Sequence, residues 1–196
     1  MLEEENNMNK TEEFVFIGFW KRVLTKLIDA AISWIFIPIT MPLMYWEIKN
    51  RSIMFTTTFS IVWTLIFLYL VVKFGGTPGK LLIKARIVNK NGDYLDWKRA
   101  ILRALPAIII SINTVLLLYN VANSYVELPM KLTFLELGKL YQQHGGMYNK
   151  LQTIIGLFVC VDYGAVLFNK KKRAIHDFIA GSFVVTKKSY LETKNL

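Results

Sequence analysis

Residues 53–72, IMFTTTFSIVWTLIFLYLVV, carry no charged side chain. About 20 predominantly apolar residues, each rising ~1.5 Å, cover the ~30 Å hydrocarbon core of a bilayer. A helix on the surface of a water-soluble core would keep a polar stripe at the 3.6-residue period, and here only Thr and Ser interrupt the apolar surface. The window predicts a membrane-spanning helix. With 54% of its 196 residues hydrophobic and clustered in such windows, the chain reads as an integral membrane protein.

Three further windows follow the same logic. Residues 27–46 form a first span with Asp29 near its start; 104–121 form a third, containing Pro106 and Asn113; 151–168 form a fourth, containing Asp162. Spanning helices tolerate such residues where neighbouring helices cover them. The expected fold class is an all-α membrane protein, a four-helix transmembrane bundle with a small two-stranded cytoplasmic β element. Residues 14–188 make up the membrane domain, flanked by a disordered acidic tail at 1–13 and a C-terminal tail at 189–196. No cleavable secretory signal is expected, because Lys21, Arg22 and Lys26 lead into a span too long for a signal peptide's apolar region. The single cysteine, Cys160, has no partner for an intrachain disulfide and is read as a packing residue.

The net charge of +10 does not point to nucleic acid, because no recognition motif accompanies it. Its placement is informative instead. Four spans divide the 24 basic residues into nineteen on one side, in the segments 1–26, 73–103 and 169–196, and five on the other, in 47–52 and 122–150. Short basic loops stay in the cytoplasm, so both termini and the 73–103 loop are expected inside the cell (plasma) membrane and the 122–150 loop outside. Anionic lipid headgroups attract the same charges. The expected partners are the lipid bilayer and either further copies of the chain or another membrane protein.

The loops carry structure of their own. GGTPGK, 75–80, is a turn cluster, and LLIKARIVN, 81–89, alternates as a strand would. NKNGD is a turn signal, and Asp96 is placed to cap the helix that enters the third span. GSFVVTKK, 181–188, is a second strand expected to lie beside the first, because neither can bury its apolar residues alone. Phe14, Phe16, Phe19 and Trp20 suit the headgroup interface. In the outer loop Pro129 can open a helix that Gly145 and Gly146 end, with Leu132, Leu135 and Leu140 on one face against the outer surface.

GGTPGKL does not make a phosphate-binding loop: Phe74 stands where the first glycine belongs and Leu81 follows Lys80 where Ser or Thr is needed. A tight turn is the better reading. His144 and His176 have no spacing suited to a metal site, so no metal and no cofactor is expected. No nucleophile and base share a sequence signature, so the chain is not expected to be an enzyme.

A polar stripe runs along the start of the first helix. Seven residues at ~100° return Asp29 to the face of Arg22, ~10 Å further on, and Gly18, Lys26 and Ser33 fall on that face too. An aspartate facing lipid costs ~2.5–3.5 kcal/mol, so the stripe should face protein or a water-filled cavity. Asp162 is expected at comparable depth, and Arg103 is a candidate partner for either acid. Such a cluster serves either to fix helix register or to bind and release ions and protons, and both readings stay open here.

At these residues the sequence resembles the RDD family of bacterial membrane proteins, named for an arginine and two aspartates. GFWKRVLTKLID places the arginine at Arg22 and the first aspartate at Asp29; GGTPGKLLIKARIVNKNG and RAILR follow in order; KKKRAIHDFIAGSFVV supplies His176 and, as second aspartate, Asp177, with Ser182 for the usual threonine. The turn motif is then Gly76, Thr77, Pro78, Gly79 and Lys80. The blocks cover a little under half the chain and leave the 122–150 loop outside the pattern. The resemblance implies transport of a small ion or solute, cation–proton exchange among the possibilities, and because four spans are few for a pathway through one chain, transport would require an oligomer. The alternative it implies is a non-catalytic regulator or inhibitor of a partner membrane protein.

Overall fold

The computed structural model describes residues 14–124 and 133–187. The acidic tail at 1–13, the C-terminal tail at 189–196, and Pro129 and Leu132 of the outer loop lie outside the described residues. In chain order the elements are α1 (Phe19–Trp34), α2 (Ile37–Lys49), α3 (Met54–Phe74), α4 (Pro78–Leu82), β1 (Ala85–Val88), α5 (Trp97–Asn123), α6 (Phe134–His144), α7 (Gly146–Gly164), α8 (Ile175–Ile179) and β2 (Phe183–Thr186).

Helices dominate, and two of them are long and apolar enough to cross a membrane: Met54–Leu82 and Trp97–Asn123. The expected first span is broken into α1 and α2, and counting this bent pair as one span gives three. The break has a chemical cause. Pro38 sits in the first turn of α2, where its fixed φ and missing N–H suit a helix start and no intrahelical bond is lost. α7, the expected fourth span, ends at Gly164 rather than 168 and is not among the helices that qualify. Exposed apolar side chains on the two qualifying helices, among them Ile61, Leu65, Ile109 and Ile112, give these membrane helices their contact with lipid. Cys160 is exposed, not packed as expected.

The strands are shorter than their sequence windows and pair as expected. β1 runs antiparallel to β2, with Ala85 opposite Thr186 and Val88 opposite Phe183. Leu81 and Leu82, expected at the start of the strand, instead complete the short helix α4, which Pro78 opens inside the turn cluster after Thr77. Gly75 ends α3 in the left-handed region at φ 70, its N–H bonding the Val71 carbonyl and the Gly76 N–H reaching back to Leu70. A side chain on Gly75 would also strike the Tyr94 ring.

Phe14 and Phe16 correct the headgroup expectation. Phe16 bridges Val185, the Ile17 N–H bonds the Val184 carbonyl and the Thr186 N–H bonds the Val15 carbonyl, so this segment borders β2. Phe14 is buried with Val88, Phe183 and Val185. Trp20 is 78% exposed and remains compatible with an interface.

The chain divides into two compact units. The first comprises Met1–Ala31, Ile66–Leu105 and Cys160–Leu196, and its core gathers Ile17, Leu68, Val71, Ile87, Leu95 and Val184. The second comprises Ile32–Leu65 and Pro106–Val159, with Ile48, Leu118, Val121, Leu137 and Leu140 at its core. In the second unit α6 is opened by a capping box between Thr133 and Glu136 and closed at Gly145. Its buried residues are Leu137 and Leu140, whereas Leu135 is 80% exposed.

Candidate functional site

The first unit encloses a cluster of ionised side chains brought from four parts of the chain. Asp177 lies in the first turn of α8, completely buried, and its Oδ2 accepts from the Ala174 N–H at the helix start. Arg22, on the buried face of α1, donates from Nη1 to Asp177 Oδ2 at 2.6 Å. Its other donors go to backbone carbonyls, Nε to Ile17 at 3.2 Å and Nη2 to Lys172 at 2.6 Å. Arg103, from the first turns of α5, donates from Nη2 to Asp177 Oδ1 at 2.5 Å and from Nε to Ser182 Oγ at 3.1 Å. The Ser182 hydroxyl in turn donates to Asp177 Oδ1. Two guanidiniums thus share one carboxylate.

His176 and Asp162 form the adjoining pair. The Asp162 carboxylate accepts from the His176 backbone N–H at 2.8 Å and from Nδ1 at 2.5 Å. The tautomer follows from the other ring nitrogen. Arg103 Nη2 stands 3.2 Å from His176 Nε2 and can only donate, which favours a neutral ring with its proton on Nδ1, while Asp177 Oδ1 lies 3.4 Å from the same Nε2. The electrostatics agree: burial pushes the imidazole below its ordinary range and Arg103 pushes the same way, against the opposing pull of Asp162 and Asp177. For Asp177, burial by itself would raise the carboxyl, but Arg103 and Arg22 outweigh it and hold it well below the usual carboxylate range.

Asp29 does different work. It accepts from the Gly79 N–H at 2.7 Å and from the Thr77 hydroxyl at 2.8 Å, so a side chain of α1 caps the N-terminus of α4. This contact explains the composition of the 76–80 turn. Thr77 supplies the hydroxyl, Pro78 opens the helix, and Gly79 must lack a side chain because a Cβ would strike the Thr25 carbonyl oxygen and crowd Asp29. A Cβ on Gly76 would lie 3.2 Å from that of Lys80, tight though not forbidden. Lys80 is itself buried, within electrostatic range of Asp29, Arg22 and Arg103.

The structure therefore gathers Arg22, Arg103, Asp162, His176 and Asp177 and places Asp29 with the 77–80 turn, but the expected pairings change. Arg103 bonds Asp177 rather than Asp29 or Asp162, and Arg22 likewise takes Asp177. Of the stripe, Lys26 is exposed, its ammonium 5.7 Å over the Tyr163 ring, while Thr25 is buried with Arg22 and Asp29. Thr25 was legible as the residue three after Arg22 and four before Asp29. Glu47 in the second unit went unread: it is fully buried and accepts from the N–H and hydroxyl of Thr56, capping α3. The signal was an acid at the end of an apolar helix with threonines in the first turn of the next. Among the described residues no group of three or more His, Cys, Asp and Glu side chains is arranged to hold a metal ion.

With this geometry in place, comparison with known proteins finds that the family model described as RDD family matches residues 16–181. No curated protein and no solved structure matches the chain.

Proposed function

Since the chain belongs to the RDD family, we propose that it is a multi-pass plasma-membrane protein that moves a small ion or solute, in the form of cation–proton exchange. Both termini and the 73–103 loop are cytoplasmic in this reading, and the 122–150 loop is outside, as the asymmetry of basic residues favours. The protein carries out no covalent chemistry. Four spans, or the two to three helices that qualify by length and composition, are too few to enclose a pathway in one chain, so the working unit is an oligomer.

The observation that carries the proposal is the bridge made by Arg103 between Asp177 and His176 Nε2. A proton arriving on His176 must take Nε2, the atom that accepts from Arg103. The new N–H opposes the Arg103 guanidinium and lies within reach of Asp177 Oδ1, so it competes with Arg103 for that carboxylate oxygen. Protonation of His176 adds a positive charge beside the Arg103 guanidinium, so proton uptake favours release of one cation elsewhere in the cluster. A site that trades one positive charge for another conserves its electrostatics, which is what exchange requires.

The test is ion flux in proteoliposomes carrying a pH-sensitive dye, with monovalent cation gradients imposed in turn. Wild type should move protons against at least one cation, and His176→Gln should abolish the movement while retaining helical content. The observation that two or three spans are too few for a pathway also favours a second reading, a regulator of a partner membrane protein. Wild-type vesicles silent towards every cation, with a stable membrane partner recovered on purification, would replace exchange by regulation. Tags near residues 92 and 140 test the topology, and an outside signal at residue 92 would overturn it.

A further inference from the structure

Outside the charge cluster, the first unit carries a groove of about 680 Å³ between the start of α5 and α8. That volume lies within the ~300–1,000 Å³ of small-molecule sites. Its walls are strongly asymmetric. Lys90, Lys98, Arg99 and Arg173 line it beside a single carboxylate, Asp96. Asp96 meets Arg99 only at 3.8 Å, with both side chains well exposed, and caps α5 through the Arg99 N–H. Such a contact leaves most of the guanidinium's hydrogen-bonding capacity free. Lys90, Lys98 and Arg173 make no ion pair among the described residues.

Arg173 is held in position. Its guanidinium lies 4.1 Å from the Phe178 ring centre and 4.6 Å from that of Phe183, and its Nη2 donates to the Asp177 carbonyl. Stacked in this way, the planar group is pre-organised for an oxyanion. Its Nε is buried and has no hydrogen-bond partner among the described residues, so the guanidinium is not saturated by protein.

The other wall is apolar. Phe178 and Ile179 are about half exposed at the groove, and Leu102 lies on α5 one turn beyond the lysine and arginine. α5 is one of the two helices apolar enough to span the bilayer, and the groove is at its first turn, beside the half-exposed Trp97. Charged residues followed by a long apolar run, with an exposed tryptophan at the junction, place this turn at headgroup depth. A phosphate that is joined to an acyl chain fits such a groove better than a free phosphate, because the free ion would leave Phe178 and Ile179 against water.

We propose that this groove is a binding site for an anionic phospholipid, with Lys90, Lys98, Arg99 and Arg173 around the headgroup phosphate and Leu102, Phe178 and Ile179 against the glycerol and first acyl carbons. The site is independent of whether ions cross the protein. It goes beyond the general attraction of basic loops to anionic membranes, because three specific elements converge on one ligand.

The full chain, purified in a neutral detergent, is titrated with short-chain phosphatidylglycerol, short-chain phosphatidylcholine and inorganic phosphate, and bound lipid is read by native mass spectrometry. Phosphatidylglycerol should bind at least tenfold more tightly than phosphatidylcholine. The triple variant Lys90→Gln, Lys98→Gln, Arg99→Gln should lose most of that preference. A control with equal charge loss at exposed positions outside the groove, Lys21→Gln, Lys73→Gln, Lys170→Gln, should keep it. Equal loss in both triples overturns the site, and inorganic phosphate competing as well as the lipid overturns the phospholipid as its occupant. Should the groove variant fail to fold, a photoreactive phosphatidylglycerol on the wild type decides: crosslinks confined to residues 90–102 and 173–179 support the site, and crosslinks spread over the basic surface overturn it.

Discussion

Asp177 in the first unit and Glu47 in the second are both fully buried carboxylates, and they are satisfied in opposite ways. Asp177 holds two guanidiniums, from residues 155 and 74 positions away in sequence. Glu47 accepts from a backbone N–H and a hydroxyl nine residues on. The first arrangement ties the start of α1, the start of α5 and the α8 turn into one structure; the second finishes a neighbouring helix end. The division of charge follows the same line. All nineteen basic residues assigned to one side of the membrane fall within the ranges of the first unit, and the five others fall within the second. Long-range electrostatics organise one unit, and local capping with apolar packing organises the other.

The comparison breaks most visibly at Asp177. Asp177→Ala leaves Arg22 and Arg103 buried without their carboxylate, and removing one partner of a buried ion pair costs ~3–5 kcal/mol. We expect a large fall in Tm in detergent, or no folded protein; a Tm within a degree or two of wild type would show that the cluster does not hold the unit together. Gly79→Ala comes next. Its methyl group must displace the Thr25 backbone or open the Asp29 cap, and overpacking of this kind costs ~1–3 kcal/mol. A thermal melt reads it directly, and an unchanged Tm would mean that α1 and α4 can separate freely.

Acid sharpens the comparison. The folded pKa of Asp177 lies below its unfolded value near ~4, so its stabilisation is complete above that value and is lost as the pH falls towards the folded pKa. His176 is also depressed, from an ordinary value near ~6.5, so its contribution is complete above ~6.5 and declines as the pH falls below it. Stability should therefore fall in two stages on acidification, a modest one below ~6.5 and a steeper one below ~4. His176→Gln should remove only the first, and a melt series from pH 8 to 3 that shows the same first stage in this variant would assign it to another group. The smallest effects belong to the second unit. Glu47→Gln keeps an acceptor for the Thr56 N–H and gains a donor for the hydroxyl, so we expect less than ~1 kcal/mol. Thr133→Ala, which opens the capping box of α6, should cost ~0.5–2 kcal/mol and lower the Tm accordingly.

Periodicity and composition were enough to locate the two helices long and apolar enough to cross a membrane, the pairing of the two short strands, the Asp96 cap, and Arg22, Asp29, Arg103 and Asp162 as charges of one cluster, whereas His176 and Asp177 came from the family resemblance. Each rests on neighbours within a few positions, or on a run of residues too apolar for water. The partners within the cluster were not legible in this way. Arg22 and Asp29 share a helix face, yet Arg22 turns to Asp177 and Asp29 turns to the backbone of Gly79. Helix periodicity gives the direction of a side chain and leaves open which of several acids stands opposite it.

By itself the sequence determined that this protein lies in a membrane, which family it belongs to, and that Arg22, Asp29 and Asp162 are charges that must be covered. Tertiary structure decided that Phe14 is core rather than interface, that the first apolar window breaks ahead of Pro38, and that His176 stands between Asp162 and Arg103. The physical reason is range. Hydrophobic transfer and backbone propensity act residue by residue and are written along the chain, whereas a buried charge is satisfied by the geometry of whatever segment the fold brings within about 3 Å.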